Sequence, residues 1–326
     1  MSLVPRWRGG TFVTQRPLPE SLTIQTSAVR ARRRHDIGHA MVLLLPLFAF
    51  LIVFTYLPAA VSLVLGFYHY HLLGVNTTFG GLGDFKEALT YAVFWQALRN
   101  TLVFALYMIP ATLVGAVAIA VLISEKSRYY ALLRTFVLLP YITPVIATSI
   151  GWLWMFNPQY GILNAMLHWL HLPQSQWLLS PQLAMPSIAL YTLWHGLGFD
   201  VVIVLSALSN MPHHVMEAAA MDGATAWTRF RRITLPLLSP TLFFLAIITT
   251  IGTLQAFSQI FALTGTQAVA GGPENSTLTL ILLIYQTAFD YFHFSYAAAM
   301  ALILVMIILG LTVIQTWFSK RWVFYQ

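Results

Sequence analysis

Six long apolar stretches dominate the chain, and segments rich in polar residues, charges or glycine separate them. Each stretch holds 22 to 29 residues, and a helix needs about 20 mostly apolar residues to cross a bilayer. Asp200 is the one formally charged residue inside them. The pattern predicts an all-α integral membrane protein with six transmembrane helices, at residues 40–68, 100–123, 135–156, 184–208, 236–262 and 295–318.

The composition excludes a soluble protein. Of the 326 residues, 17 are Lys or Arg and 10 are Asp or Glu, so that 8% are charged, against roughly 25% in an average soluble domain. Hydrophobic residues make up 58% of the chain, which excludes intrinsic disorder because disordered segments have low hydrophobicity. The sequence contains no Cys, and this excludes a disulfide framework.

The basic residues predict the orientation of the six helices. With the N-terminus in the cytoplasm, 15 of the 17 Lys and Arg residues fall in cytoplasmic segments, and only Lys86 and Arg99 fall outside. Such an excess is typical of cytoplasmic loops. We therefore expect an inner-membrane protein with both termini cytoplasmic. Its basic residues, which give a net charge of +7, are expected to interact with lipid headgroups rather than with nucleic acid. Its predicted divisions are a tail at 1–39, a membrane domain at 40–319 and a tail at 320–326.

The third cytoplasmic segment, residues 209–235, has the pattern of a helix-turn-helix. Asn210 can cap a helix that Pro212 starts, since a proline in the first turn loses no needed N–H bond. Gly223 then supplies a position at which the chain can turn with positive φ. We expect a first helix over 213–222 and a turn at Gly223.

A second short helix is predicted to follow this turn and to end at Pro236, where the fifth span begins. In the first helix, the side chains of Ala218–Ala220 are small enough to let another backbone approach closely. Glu217 precedes them and offers a negative charge. The segment therefore has the features of a docking surface for a partner protein.

The residues of this segment also match a known pattern at fixed spacing, through Glu217, Ala218, Ala219, Gly223, Ile233, Leu235 and Pro236. The pattern resembles the EAA loop of permease subunits in binding-protein-dependent ABC importers. The resemblance extends over roughly 40–320 and is closest to the sugar-type subgroup. Further matches lie at Phe79–Phe85, Asn100-Thr101, Tyr160-Gly161, Asn164, Gly271–Pro273, Tyr285, Ala288-Phe289 and Tyr296–Ala299.

The resemblance implies a set of partners and a mechanism. The permease pairs with a second, similar permease, two ATP-binding cassette subunits dock on the cytoplasmic side, and an external solute-binding protein delivers a sugar-like substrate. ATP-driven closure of the ATPase subunits moves the docked helix and reorients the spans. The resemblance assigns ATPase coupling to Glu217, Ala218, Ala219, Asp222, Gly223, Ile233, Leu235 and Pro236.

The sequence gives no sign of a nucleotide site or an enzyme. A Walker A loop requires Gly-Lys-Ser/Thr because the lysine reaches the phosphates, and the three lysines here follow Phe85, Glu125 and Ser319. The histidine pairs lack a third ligand nearby, so no metal site is predicted. We expect a transport subunit that binds no cofactor, with ATP used by its partners.

Polar residues within the apolar stretches are candidates for the substrate path. Thr249, Gly252, Gln255 and Gln259 share one face of the predicted fifth helix by their spacing, and this face either lines a lumen or packs against another helix. Asp200 in the fourth span makes a structural hydrogen bond, lines the path or relays protons.

Two alternatives to a sugar importer remain. One is an importer of glycerol phosphate or another polyol-like solute, although an anion inside the membrane normally needs Lys or Arg nearby and none of the six stretches contains one. The other is a proton-coupled secondary transporter that uses Asp200. It leaves the pattern from Glu217 to Pro236 unexplained.

Overall fold

The computed structural model describes residues 41–70, 78–124, 128–265 and 270–322. The predicted tail at 1–39 and residues 323–326 lie outside this part of the chain. The chain divides into two compact units, Met1–Ser62 and Leu63–Gln326. The first unit contains most of one apolar helix, and all packing described below lies within the second unit.

The described residues are mostly helical, with one small antiparallel pair of strands, β1 Tyr68–His69 and β2 Thr78–Phe79. In chain order the helices are α1 Met41–Leu65, α2 Gly83–Thr90, α3 Ala92–Leu122, α4 Arg128–Ile142, α5 Val145–Met155, α6 Ile162–Trp169, α7 Ala184–Ser209, α8 His213–Met221, α9 Ala226–Leu254, α10 Ser258–Thr264, α11 Leu280–Asp290 and α12 Phe294–Trp322.

Five of these helices, α1, α3, α7, α9 and α12, are long and apolar enough to cross a membrane. The bent pair of α4 and α5 makes a sixth if it is counted as one span. An all-α membrane protein with five or six spans is therefore confirmed. α3 begins at Ala92, earlier than the predicted start at residue 100, and continues through Pro110 without a break.

The predicted third span, residues 135–156, is not one continuous helix. α4 and α5 meet at an angle of 98°, and Thr143-Pro144 lies between them. Pro144 has no backbone N–H and disfavours helical geometry at the residue before it. A continuous helix through this site would lose a hydrogen bond, so the chain bends here instead.

Two side chains of α7 bind the backbone on either side of this bend. The hydroxyl of Tyr191 donates to the carbonyl oxygen of Val145 at 2.8 Å, and Nε2 of His195 lies 3.1 Å from the carbonyl oxygen of Thr143. Backbone groups inside a membrane need partners within the protein. α7 therefore supplies the partners that a broken span requires.

The structure corrects the predicted beginning of the fifth span. α9 begins at Ala226 and runs through Pro236, whereas the sequence predicted a separate helix that ends there. The turn over Phe230–Thr234 is a π-turn, in which the N–H of Leu235 donates to the carbonyl of Phe230. Pro236 has no N–H to donate to the preceding turn. The wider π-turn before it accommodates this missing hydrogen bond, and the helix continues past the proline.

The end of the fifth span is also corrected. α9 stops at Leu254, not at the predicted residue 262, and Phe257 has φ −124° and ψ −62°. A new helix, α10, begins at Ser258. The apolar run from 236 to 262 could not reveal this break, because hydrophobicity is the same on both sides of it.

Two apolar clusters hold the second unit together. The larger one joins the beginning of α3 and α7 to α10, α11 and α12, and its buried members include Phe94, Phe104, Leu254 and Leu280. The smaller one joins the later parts of α3 and α7 to α9. Ile123 at the end of α3 belongs to it, and Phe230 packs against it.

We call the region of the smaller cluster the basic end. It comprises the ends of α3 and α7 and the beginnings of α4 and α9, with Arg134, Arg229, Arg231 and Arg232. Arg134 donates to the carbonyl oxygen of Ile123 at 3.0 Å, which joins α4 to the end of α3. The opposite end comprises the beginnings of α3, α7 and α12.

Candidate functional site

The coupling segment, residues 209–235, lies at the basic end between α7 and the body of α9. Its first helix, α8, begins after Pro212, which takes the N-cap position. The predicted cap, Asn210, instead ends α7 as its C-cap. Proline is favoured at a helix start for its fixed φ, so the helix begins here without a side-chain cap.

The predicted turn lies at Gly223, whose φ is +73°. A residue other than glycine adopts this backbone geometry at a cost of roughly 1–2 kcal/mol. Apart from its chain neighbours, no atom of the described residues lies within 4 Å of the position that a Cβ on Gly223 would occupy. The Thr225 hydroxyl then accepts a hydrogen bond from the N–H of Thr228 at 3.3 Å and caps the start of α9.

α8 and its turn present a largely uncovered surface. Met221 is 89% exposed and Trp227 is 67% exposed, while Ala219 is 9% exposed and faces the protein. Glu217 is exposed as well. Exposed apolar side chains close to an exposed acid in the sequence make this surface a candidate for a protein contact.

The eight predicted coupling residues fall into two groups. The first group lies on α8 and its turn: Glu217, Ala218, Ala219, Asp222 and Gly223. The second group lies in α9 itself: Ile233, Leu235 and Pro236. Only two residues, Ala224 and Thr225, separate the turn at Gly223 from the start of α9.

The candidate path residues do not share one helix, which corrects the prediction. Thr249 and Gly252 lie in α9, Gln255 is its C-cap, and Gln259 lies in α10. Gly252 and Gln255 are exposed in this chain, whereas Thr249 and Gln259 are half-buried. Gly252 and Gln255 therefore do not pack against the other described helices of this chain.

The buried side of α9 holds a polar contact that the sequence did not reveal. Nε2 of Gln315 in α12 donates to the hydroxyl of Thr250 at 2.7 Å, and both side chains lie within the bundle. Oε1 of Gln315 is buried without a partner among the described residues. No local spacing could have paired two residues this far apart in the sequence.

Asp200 is half-buried in α7, close to the basic end. Within the described residues, no hydrogen bond or ion pair joins its carboxylate to another side chain. The structural hydrogen bond considered above is therefore not found in this part of the chain. Its place in a substrate path stays a prediction.

At the opposite end, a loop of residues 270–279, which we call the tethered loop, is held by side chains of α3. Nδ2 of Asn100 donates to the carbonyl oxygens of Asn275 and Leu278 at 2.8 and 3.0 Å. Nε2 of Gln96 donates to the carbonyl of Glu274 at 2.8 Å. The hydroxyl of Thr101 accepts from the N–H of Leu280. The matches to the family in the sequence include Asn100-Thr101 in α3 and Gly271–Pro273 in this loop, but they did not predict that the two segments are in contact.

These features define a class of protein. The chain is a multi-pass helical membrane protein with a short uncovered helix and a glycine turn attached directly to a transmembrane helix. It belongs to the family of binding-protein-dependent transport system inner membrane components, whose pattern matches residues 111–323. The resemblance seen in the coupling segment is thereby confirmed, and the chain is a permease component of such a system.

Curated relatives cover most of the chain. It is 35% identical to the lactose transport system permease protein LacF of Rhizobium radiobacter over 82% of this chain and 88% of the relative. The trehalose/maltose permease protein MalF of Thermococcus litoralis is 30% identical over 80% and 85%. The sn-glycerol-3-phosphate permease protein UgpA of Pectobacterium atrosepticum is 30% identical over 87% and 95%.

A solved structure shares the fold. The chain is similar to a chain in the crystal structure of a bacterial alginate ABC transporter in complex with an alginate pentasaccharide-bound periplasmic protein. The TM-score is 0.77 at 24% identity, and the match covers 90% of this chain and 96% of the other. The likeness supports the helical arrangement described above.

Proposed function

We propose that this chain is the membrane-spanning subunit of an ATP-driven importer for a neutral sugar or oligosaccharide. The observation that carries the sugar class is the 35% identity to a lactose permease over 82% of the chain. The absence of Lys and Arg from the six apolar stretches of the sequence favours an uncharged substrate, since charge inside a membrane needs a partner.

Glycerol phosphate is the second candidate substrate, because the UgpA relative is 30% identical over 87% of this chain. Its phosphate would need a cation in the path. A partner permease would have to supply that cation, since the predicted spans of this chain hold none. Proton-coupled transport is disfavoured, because the family to which the chain belongs works with a binding protein.

The coupling segment is proposed as the docking element for an ATPase subunit. Its support is the exposed surface of α8, with Glu217 and Met221 uncovered, and the left-handed turn at Gly223. A rigid connection from this turn into α9 would transmit ATPase closure to the membrane as a movement of one helix. Ile233, Leu235 and Pro236 would form the stiff base of that connection.

The path is proposed to run along the exposed side of the break between α9 and α10. An interrupted transmembrane helix is a common device for substrate sites, since its ends leave backbone groups free to bind solute. Gln255 stands at this break and Gln259 follows in α10. Thr249 and Gly252 would extend the path along α9, and Asp200 would face it from α7.

The complete transporter would contain a second permease, two ATP-binding cassette subunits and an external solute-binding protein. We propose that ATP is bound and hydrolysed by the cassette subunits and that this chain holds no cofactor. The basic end would face the cytoplasm, as the positive-inside distribution of Lys and Arg favours, and the opposite end would face the binding protein.

Reconstitution tests the substrate class. The complete transporter is placed in liposomes loaded with ATP, and uptake of radiolabelled lactose, maltose, trehalose and glycerol-3-phosphate is measured with the binding protein outside. ATP-dependent uptake of at least one neutral sugar is expected. Uptake of glycerol-3-phosphate alone would replace the sugar class by the phosphate class, and uptake driven by a proton gradient without ATP would refute the importer.

A further inference from the structure

A cavity of about 740 Å³ opens at the opposite end, among β1, α2, α11 and the beginning of α12. Its lining is unusual for a chain so poor in charge. It includes two carboxylates, two imidazoles and several aromatic rings, and none of its lining residues is Lys or Arg. The coupling segment and the break after α9 contribute nothing to it, so it is a separate site.

The polar wall of the cavity is fixed by contacts within the chain. Nδ1 of His69 lies 3.1 Å from Oδ1 of Asp84, in the first turn of α2. The N–H of Tyr70 donates to the hydroxyl of Ser295 at 2.7 Å and ties β1 to α12. Asp84 and Ser295 are 8% and 5% exposed. The acidic group is therefore held in place before any ligand arrives.

The aromatic wall is uncovered. Tyr91 is 47% exposed, Tyr291 is 62% exposed and Phe292 is 57% exposed. Glu87 is exposed beside them. Rings of this kind offer a large apolar face, and the tyrosines add a hydroxyl at the edge. A ligand with one apolar face and many hydroxyl groups can use both walls at once.

We propose that this cavity binds a neutral mono- or disaccharide at the mouth of the transporter. The proposal rests on the proposed sugar function and narrows its substrate class. The carboxylates of Asp84 and Glu87 accept hydrogen bonds from sugar hydroxyls, while the rings of Tyr91 and Tyr291 cover the faces of the sugar. The carboxylate of Glu87 repels phosphates and uronates, because the lining offers it no Lys or Arg.

The size of the cavity agrees with this ligand. Pockets that hold small ligands span roughly 300–1,000 Å³ and combine apolar walls with a few convergent polar groups. The cavity falls within that range. Tyr91 in its lining immediately precedes α3, and Ser295 lies at the start of α12. The cavity therefore lies at the end of the bundle that would receive solute.

The test uses the complete transporter in lipid nanodiscs without its binding protein, so that any sugar bound is bound by the membrane subunits. Binding of lactose and maltose is measured by saturation-transfer NMR and titration, with glycerol-3-phosphate as the anionic probe. Glu87→Gln and Tyr291→Ala are compared with Asp290→Asn and Phe289→Ala. These controls alter an exposed acid and an exposed ring that do not line the cavity.

The expected result is binding of a neutral sugar that weakens about tenfold in Glu87→Gln, as for the loss of a charged hydrogen-bond acceptor. A loss of about fivefold is expected in Tyr291→Ala. The control variants should bind within about twofold of the wild type, and glycerol-3-phosphate should not compete.

Two outcomes would overturn the inference while leaving the proposed function intact. One is sugar uptake with unchanged sugar binding in Glu87→Gln and Tyr291→Ala. The other is a loss of stimulation by the binding protein in these variants without a loss of sugar binding, which would make the cavity a protein contact. If the wild-type transporter takes up no sugar at all, the proposed function itself fails.

Discussion

Gly223 and Gly272 have almost the same backbone torsion, with φ of +73° and +72°, but their surroundings at the two ends of the protein differ. Within the part of the chain that the structure describes, no atom beyond the chain neighbours lies within 4 Å of a Cβ built on Gly223. A Cβ on Gly272 would lie 2.6 Å from the hydroxyl oxygen of Thr277. The turn at Gly272 is packed inside the chain. The turn at Gly223 lies in open space at the end of α8.

Glycine is used differently at the two ends, and Gly272 combines its positive φ with an extended ψ of −178°. In the tethered loop this backbone geometry completes internal packing, together with the hydrogen bonds from Gln96 and Asn100. In the coupling segment the turn at Gly223 follows an uncovered helix, for which we propose a partner protein. Substitutions at the two glycines should therefore separate coupling from stability.

The largest effect on transport is expected for Gly223→Val. A β-branched residue opposes the left-handed turn at roughly 1–2 kcal/mol and redirects α8. We expect sugar-stimulated ATP hydrolysis to fall by about tenfold or more, an energy of roughly 1.4 kcal/mol in the coupled step. Stimulated hydrolysis is measured in the reconstituted transporter.

Membrane insertion and thermal stability of the isolated Gly223→Val chain serve as the control. Insertion should stay near the wild-type value. The unfolding temperature should fall less than in Gly272→Val, because the added side chain enters open space and no clash adds to the strain. Full stimulation in this variant would show that the turn does not set the direction of a coupling helix.

The largest effect on stability is expected for Gly272→Val. The substitution adds a clash with Thr277 to the strain of a positive φ with an extended ψ, which together cost about 3 kcal/mol. Thermal unfolding in detergent should occur at a clearly lower temperature. The variant Gly272→Ala with Thr277→Ala removes the clash but keeps the strain, and it should recover only part of the loss. An unchanged unfolding temperature in Gly272→Val would contradict the packed turn.

A smaller effect is expected at the break after α9. Gln255→Leu removes polar contacts from the exposed side of the proposed path, and uptake should fall about fivefold, as for the loss of one hydrogen bond to substrate. Assembly with the partner subunits should persist. Thr316→Val, which alters an exposed polar residue of α12, is the matched control. Equal uptake by both variants would remove Gln255 from the path.

The smallest effect is expected for Glu217→Ala. Alanine keeps the helix, and an exposed ion pair contributes only about 0.2–1 kcal/mol. Stimulated ATP hydrolysis should fall about threefold, and less at high salt because exposed charges are screened. Asp290→Ala changes an exposed acid at the opposite end and should have no such effect. A loss that is independent of salt would indicate packing rather than charge.

Much of the fold follows from the sequence. Long apolar stretches between polar segments predict the membrane helices, because length and hydropathy alone decide whether a helix can cross a bilayer. Gly223 was predicted to take a positive φ because few other residues adopt it without strain. α8 follows from the proline before it and the glycine after it.

The interruptions of the helices could not be predicted in the same way. Pro110 lies inside an unbroken α3, Pro236 lies inside α9, and Pro144 accompanies a bend of 98°. The outcome depends on partners from other helices, such as Tyr191 and His195 at the bend. A proline in a sequence shows where a hydrogen bond is missing but not what replaces it.

The cavity at the opposite end could not be predicted from the sequence either. His69 and Asp84 belong to one region of the chain and Tyr291 and Ser295 to another, more than 200 residues later. Each region was noticed for its family-like pattern. Their meeting depends on tertiary packing of β1 and α2 against α12, for which no local pattern exists.

Cross-linking can detect the proposed contact between the coupling segment and an ATPase subunit. The chain has no Cys, so Met221→Cys places one thiol on the most exposed part of α8, and Phe289→Cys places one at the opposite end. In the assembled transporter, a short thiol-to-amine cross-linker should join Met221→Cys to an ATPase subunit and leave Phe289→Cys unjoined to it. An assembled, active complex in which Met221→Cys forms no cross-link to the ATPase would contradict the account.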